Sequence, residues 1–253
     1  MFGRKQNCSS VKLLKRVLLG LLIVIVLATL GFVIWAETPL PAAPEALSAL
    51  ESDSKVTVTT DDYISFQPVN VKLATALVFY PGGRVDYRAY SVPLRKIAEQ
   101  GYLVVLLPVR LNLAFFDVQA ADNAIMDFPE IQHWVVGGHS LGGVAASLYA
   151  SRKNNLDGIV FWASYPANDA LKNTDMKVLS IYGTRDMGGM ESFDASRANL
   201  PAGTEFVVID GGNHGQFGDY GFQPGDNAAD ISRADQQSQV VEATVKFLAS
   251  LGK

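Results

Sequence analysis

Six short apolar runs dominate the second two-thirds of this chain: Ala76–Tyr80, Tyr102–Val109, Trp134–Gly137, Ile159–Ser164, Val178–Tyr182 and Glu205–Ile209. A strand with one wet face alternates apolar and polar residues, whereas a continuously apolar strand is covered on both faces. Between the runs lie stretches with helical periodicity. Tyr87–Gln100 puts Tyr90, Leu94, Ile97 and Ala98 on one face and stops at Gly101, with the regular helix expected from about Pro93. Ala120–Asp127 is a weaker helix. Leu141–Lys153 aligns Leu141, Val144, Ala145 and Leu148, and Val240–Leu251 closes the chain. Ahead of them, Val56–Thr60 and Tyr63–Gln67 read as two antiparallel strands around Asp61-Asp62. The pattern predicts an α/β domain over 55–253, with a mostly parallel sheet and helices on both faces. Such sheets bind ligands at the carboxyl ends of their strands, so chemistry is sought just after each run.

The segment after the Trp134 run reads VVGGHSLGGVAA, and Gly138-His139-Ser140-Leu141-Gly142 fits G-x-S-x-G between a strand and a helix. Glycines let the backbone turn sharply there and present Ser140 at the helix N-terminus. A serine hydroxyl needs a base. The chain has three histidines, His133, His139 and His214. His133 falls at the opposite end of the sheet, and His139, beside the serine, should point away from it as a packed residue. His214 follows the last strand in GGNHGQFGDYG and is the expected base. The acid that orients it is expected to be Asp186, just after the Val178 strand, ahead of Asp169, Asp210 and Asp219. The developing oxyanion needs two backbone N–H donors. Leu141 follows the nucleophile, and Gly83 lies in Pro81-Gly82-Gly83-Arg84 after the first apolar strand; Arg84 itself reads as a surface side chain.

The N-terminus has a different character. Val17–Trp35 is an unbroken uncharged run of nineteen residues, about 28 Å as a helix at ~1.5 Å per residue. A cleaved signal has a shorter apolar region and a small-x-small site, so an uncleaved signal anchor is expected. Arg4, Lys5, Lys12, Lys15 and Arg16 precede the run and Glu37 is the first charge after it. Positive flanks stay cytoplasmic, which places the N-terminus inside and the body outside the cell membrane. The expected organisation is a basic cytoplasmic stub (1–16), a transmembrane anchor (17–35), a proline-containing linker (36–54) and the α/β domain (55–253).

Charge and cysteine usage exclude several classes. Net charge is −4, but removing the five N-terminal cations leaves a body of −9, an unsuitable surface for nucleic acid. Cys8 is the single cysteine, so there is no intramolecular disulfide and no cysteine-based zinc site. No phosphate-binding loop, G-x-G-x-x-G opening a helix, or H-E-x-x-H is present. No metal and no cofactor is expected.

Taken together, FYPGGRVDYRAY, GYLVVLLPVRLNLAFF, WVVGGHSLGG, SYPA, LSIYGTRD and GGNHGQFGDYG resemble the α/β-hydrolase superfamily. The order Ser140, Asp186, His214 is its order. The closer likeness is to small bacterial members, often membrane-anchored, near the dienelactone-hydrolase and carboxylesterase branches. The resemblance implies a metal-independent serine hydrolase acting on small carboxylic esters or related acyl compounds through an acyl-enzyme. Members with a lid usually insert it just before the acid-bearing strand. Here Ala167–Met176 leaves no room for one, so the site is expected to be open. Peptidase, acyltransferase or perhydrolase chemistry on the same fold, or a non-catalytic membrane-tethered binding protein, are the alternative readings.

Overall fold

In the computed structural model, which describes residues 6–251, the elements follow in chain order: α1 (Gln6–Ala36), α2 (Pro44–Ser48), β1 (Val56–Thr60), β2 (Ile64–Pro68), β3 (Thr75–Tyr80), α3 (Ser91–Ala98), β4 (Leu103–Leu106), α4 (Ala121–Asp127), β5 (His133–His139), α5 (Leu141–Ala150), β6 (Gly158–Trp162), β7 (Lys177–Gly183), α6 (Gly189–Ser196), β8 (Glu205–Ile209) and α7 (Arg233–Ala249). Arg4 and Lys5 of the basic stub lie outside the described residues.

Two units form. The first ends at Thr38 and is built on α1. Within it, Val11–Ala36 is long and apolar enough to cross a membrane. The helix extends further than the uncharged run because Lys12, Lys15 and Arg16 are good helix formers.

The second unit begins at Pro39. Its eight strands lie in the order β1-β2-β4-β3-β5-β6-β7-β8. β1 and β2 join antiparallel, β2 joins β4 antiparallel, and every later pairing is parallel. Side-chain alternation divides the apolar runs between two cores. Leu77, Phe79, Val135, Val160 and Ile181 face α3 and α7, meeting Leu94, Ile97, Val240 and Phe247. Ala76, Val78, Val136, Ile159 and Val178 face the other way, onto Ala121, Ala124, Ala145 and Tyr149 of α4 and α5. Both faces of the central strands are therefore sealed, while the edge strand β8 leaves Val208 exposed.

Several stretches differ from the sequence expectation, the closing helix among them, which starts at Arg233 rather than Val240. Residues 39–54, whose prolines read as a linker, are part of this unit. Leu40 bridges Val85, the Ala43 N–H donates to the Asp219 carbonyl at 2.7 Å, and Arg95 donates to the carbonyls of Ala49 and Glu51. Pro44 fits because the first turn of a helix needs no N–H there. The strand expected over Tyr102–Val109 ends at Leu106, since Pro108 has no ladder donor and the chain turns into two 3-10 turns at Arg110–Asn112 and Ala114–Asp117.

Candidate active site

Ser140 sits between β5 and α5 with φ 52° and ψ −122°, a conformation that a residue with a β-carbon rarely adopts. The neighbours make it possible. A β-carbon on Gly138 would collide with the backbone of Gly142 and Gly143, and one on Gly142 would collide with the carbonyls of Tyr80 and Pro81. The bend itself is pinned, because the Ser140 N–H donates to Trp162 O at 3.0 Å and its carbonyl accepts from Ser164 Oγ at 2.6 Å. Ser140 remains half-buried, at the edge of a cavity of about 240 Å³ that also reaches His214 and Asp186.

His214 opens a 3-10 turn after β8, and Asp186 follows β7. The Nδ1–H of His214 donates to Asp186 Oδ2 at 2.9 Å, and the Gly188 N–H holds the other carboxylate oxygen at 2.9 Å. Both side chains are almost fully buried. With Nδ1 carrying the proton, Nε2 has a lone pair, and it has no hydrogen-bond partner among the described residues. The serine–histidine hydrogen bond expected from the sequence is thus not closed. Such contacts are often long without substrate and tighten in the complex. The rival acids lie elsewhere: Asp210 accepts from Thr184, Asp219 from Gln237, and Asp169 is exposed in a 3-10 turn. Burial pushes the Asp219 carboxyl above the usual carboxylate range.

Gly83 and Leu141 are neighbours. A β-carbon on Gly83 would stand 2.8 Å from Leu141 Cδ2 and 3.3 Å from Leu141 Cβ. The loop's other amides are committed, Gly82 N–H to Tyr90 Oη and Arg84 N–H to Asn112 O. Gly83 thus packs against the side chain of Leu141, the residue that follows Ser140.

His139 does turn away from the serine, but it is more than packing. Its Nε2 faces the His214 carbonyl at 3.1 Å, which can only accept, so Nε2 carries the proton. Its Nδ1 then accepts from Tyr90 Oη–H at 2.8 Å, while Tyr90 Oη accepts the Gly82 N–H at 3.0 Å. Burial, and then the charge of nearby His214, hold His139 well below the ordinary histidine range. Burial keeps the Tyr90 hydroxyl protonated far beyond its ordinary value. His133, as expected, is at the other end of its strand, bonded to Asp157 at 3.1 Å.

Sequence reasoning missed the clasp on the histidine loop. The Asp226 carboxylate accepts from the N–H groups of His214, Gly215 and Asn227 at 3.3, 2.7 and 2.9 Å. Gln236 of α7 binds Asn213 reciprocally, N–H to carbonyl at 2.7 Å and amide oxygen to N–H at 3.0 Å. A signal existed: Gln236 and Gln237 interrupt the stripe that Val240, Thr244 and Phe247 continue, so polar side chains enter the buried face. Helix α6 was also missed, and it supplies Phe193 to the cavity.

A parallel sheet with an elbow serine, an imidazole and a carboxylate gathered at its carboxyl edge defines a hydrolase architecture. The sequence profile of the alpha/beta hydrolase family matches residues 76–238, and the chain belongs to that family. Its fold is similar to a dienelactone hydrolase from Anabaena variabilis (TM-score 0.58, 15% identity, 78% of this chain and 99% of that one). It is similar also to a thermostable esterase from Pseudomonas putida (0.58, 14%, 82% and 87%) and to the esterase domain of a Rhodothermus marinus protein (0.57, 16%, 76% and 96%). No curated protein matches it in sequence.

Proposed function

We propose that this α/β-hydrolase cleaves carboxylic esters through a covalent acyl-enzyme, with Ser140 as nucleophile, His214 as general base and acid, and Asp186 as its partner. The observation that carries the reading is the buried His214 ring, bonded at Nδ1 to Asp186 and unpartnered at Nε2 beside the Ser140 cavity.

Ser140 Oγ adds to the ester carbonyl carbon while its proton moves to His214 Nε2. Asp186 stabilises the imidazolium and fixes the tautomer. The N–H groups of Gly83 and Leu141 hold the oxyanion, where donors are worth most because they are aimed before charge develops. The intermediate then collapses, the ester C–O bond breaks, and His214 gives its proton to the departing alkoxide. Water, deprotonated by His214, releases the acid and restores Ser140. None of these steps needs a metal or cofactor. The esterases and the dienelactone hydrolase that share the fold support ester chemistry over peptidase, acyltransferase or perhydrolase variants and over a non-catalytic binding role.

The N-terminal helix serves, on this reading, as an uncleaved anchor over 17–35, with the five cations on the cytoplasmic side and the hydrolase outside. The length and composition of α1 support a membrane segment, and the charge asymmetry supports its direction.

A fluorophosphonate probe on the purified full-length protein tests the chemistry. Wild type labels and Ser140→Ala does not; equal labelling of both would sink the proposal. Ester formation when an added alcohol competes with water would identify acyl transfer instead. Protease protection in intact spheroplasts tests orientation, and a body shielded from added protease would reverse it.

A further inference from the structure

We infer that residues 39–43, which read as part of a linker in the sequence, form a positioning strap: they hold the loop of Gly83 and the loop of His214 in register, and turnover depends on them. The inference rests on the ester-hydrolase reading above and adds a positioning element to it.

The sequence makes the strap stiff. It reads Pro39-Leu40-Pro41-Ala42-Ala43-Pro44. Each proline fixes its own φ and keeps the residue before it out of the helical region. Leu40 and Ala43 both stand before a proline, and Ala43 is extended, with φ −72° and ψ 158°. Such a segment has little conformational freedom to lose when it docks.

Its bonds fall on the two loops of the proposed site. Leu40 forms a parallel bridge with Val85: its N–H donates to the Arg84 carbonyl at 2.8 Å, and its own carbonyl accepts the Asp86 N–H at 2.9 Å. These partners begin at the residue after Gly83. The Ala43 N–H donates to Asp219 O at 2.7 Å, on the loop that carries His214. The Asp219 N–H in turn donates to Ala89 O at 2.7 Å, so the histidine loop closes back on the chain that follows Asp86. Between His214 and Asp219 lies the 3-10 turn Gly215–Phe217, with Phe217 fully buried. A displacement of Asp219 is carried through this compact turn to His214.

The next stretch of chain is fastened elsewhere. Arg95 of α3 donates to the carbonyls of Ala49 and Glu51 and pairs with Asp53 at 2.8 Å. Substitutions at Ala43 and at Arg95 therefore separate positioning from stability. The tie from His139 through Tyr90 joins the same two loops from the buried side, and the strap, half-buried at Leu40 and Ala43, joins them nearer the surface.

Hydrolysis of p-nitrophenyl acetate by the full-length protein tests this. Ala43→Pro deletes one N–H at a backbone conformation that proline already fits, and Ala43→Gly keeps that N–H. Misplacing reacting groups by a fraction of an ångström costs about tenfold, so kcat is expected to fall by about that factor in Ala43→Pro, with KM within about twofold. Ala43→Gly should stay within about twofold of wild type in both. The rate at which a fluorophosphonate labels Ser140 should fall in Ala43→Pro by the same factor as kcat. Arg95→Met should lower the thermal midpoint and leave kcat unchanged. If Ala43→Pro does not fold, Leu40→Ala decides, because Leu40 packs against the core and its loss frees the same strap; the same fall in kcat at constant KM is expected. Full kcat in the variant that decides overturns the strap. So does an equal loss in Ala43→Pro and Ala43→Gly, or a loss in Arg95→Met as large as in Ala43→Pro. In each of these cases the hydrolase reading stands if wild-type Ser140 takes the label. If wild-type Ser140 takes no label, both fail.

Discussion

The Nε2–H of His139 donates to the carbonyl oxygen of His214 at 3.1 Å, so the residue before the proposed nucleophile holds the backbone of the proposed base. Its other nitrogen reaches the Gly82 amide through Tyr90 Oη, tying the loop of Gly83 to the loop of His214. His139→Phe keeps a ring stacked on Phe217 but removes both hydrogen bonds. Displacement of either loop by a fraction of an ångström is expected to lower kcat by roughly 10–100-fold, with KM within about twofold. His139→Gln, which can accept from Tyr90 and donate to His214, should recover part of the loss. Steady-state kinetics of the two variants decide it; equal loss in both would show that ring packing alone matters.

The same imidazole predicts how stability depends on pH. Burial lowers its pKa in the folded chain below the ordinary value of ~6.5. Above pH ~6.5 it is neutral in both states and costs nothing. As pH falls below that, the unfolded chain takes up the proton first, so folding free energy declines until the folded pKa is reached. Urea unfolding of wild type should therefore show a midpoint that falls as pH drops below ~6.5, with a shallower fall in His139→Phe. Parallel slopes would mean that other groups set the acid limb.

Much of the fold was legible in the sequence because it rests on local pattern. β1, β8 and the two faces of the sheet follow from apolar runs and their alternation, and the elbow from the spacing of Gly138, Ser140 and Gly142. Position relative to the strands also singled out Asp186 and His214, and these are the pair in contact. What remained illegible depends on tertiary contact. Residues 39–54 carry linker-like prolines yet dock through Leu40 and Arg95. Asp226 lies twelve residues beyond His214 in a loop without periodicity, and only the folded path brings it under the His214 amide.

Asp226 gives the third prediction. Its carboxylate serves three backbone N–H groups, two of them at the histidine turn. Asp226→Ala strands buried donors, and each costs about 1–3 kcal/mol. A loss of roughly that size is expected in chemical denaturation, together with faster amide hydrogen exchange across the histidine loop. Unchanged exchange there would show that Gln236 and Asn213 hold the turn without it.

Gly83→Ala probes the proposed oxyanion site. The new β-carbon would stand 2.8 Å from Leu141 Cδ2 and 3.3 Å from Leu141 Cβ, so either the Leu141 side chain or the loop that carries Gly83 must give. Loss of one aligned donor costs about 10²–10³-fold in kcat. The expected outcome is a fall of that order with little change in KM and intact thermal stability, since Gly83 is half-buried and outside either core. Affinity for a boronic acid, whose tetrahedral adduct places an oxygen at the same donors, should fall by a similar factor. A fall in kcat without weaker boronate binding would remove Gly83 from the oxyanion site.

The connection from β6 to β7 bears on how the enzyme meets its substrate. Residues 163–176 contain one 3-10 turn, Asp169–Leu171, and no longer helix, so nothing in this stretch is large enough to cover Ser140. Tyr165 and Met187, at the cavity, are 43% and 42% exposed. A lidded hydrolase gains rate when an interface opens it, because closure and opening are separate conformational steps. Without a lid no such step exists. With tributyrin titrated through its solubility limit, the rate should saturate smoothly. An abrupt rise when droplets appear would require a moving cover over the site, and would direct attention to the loop of Phe115 and Phe116, both 48% exposed.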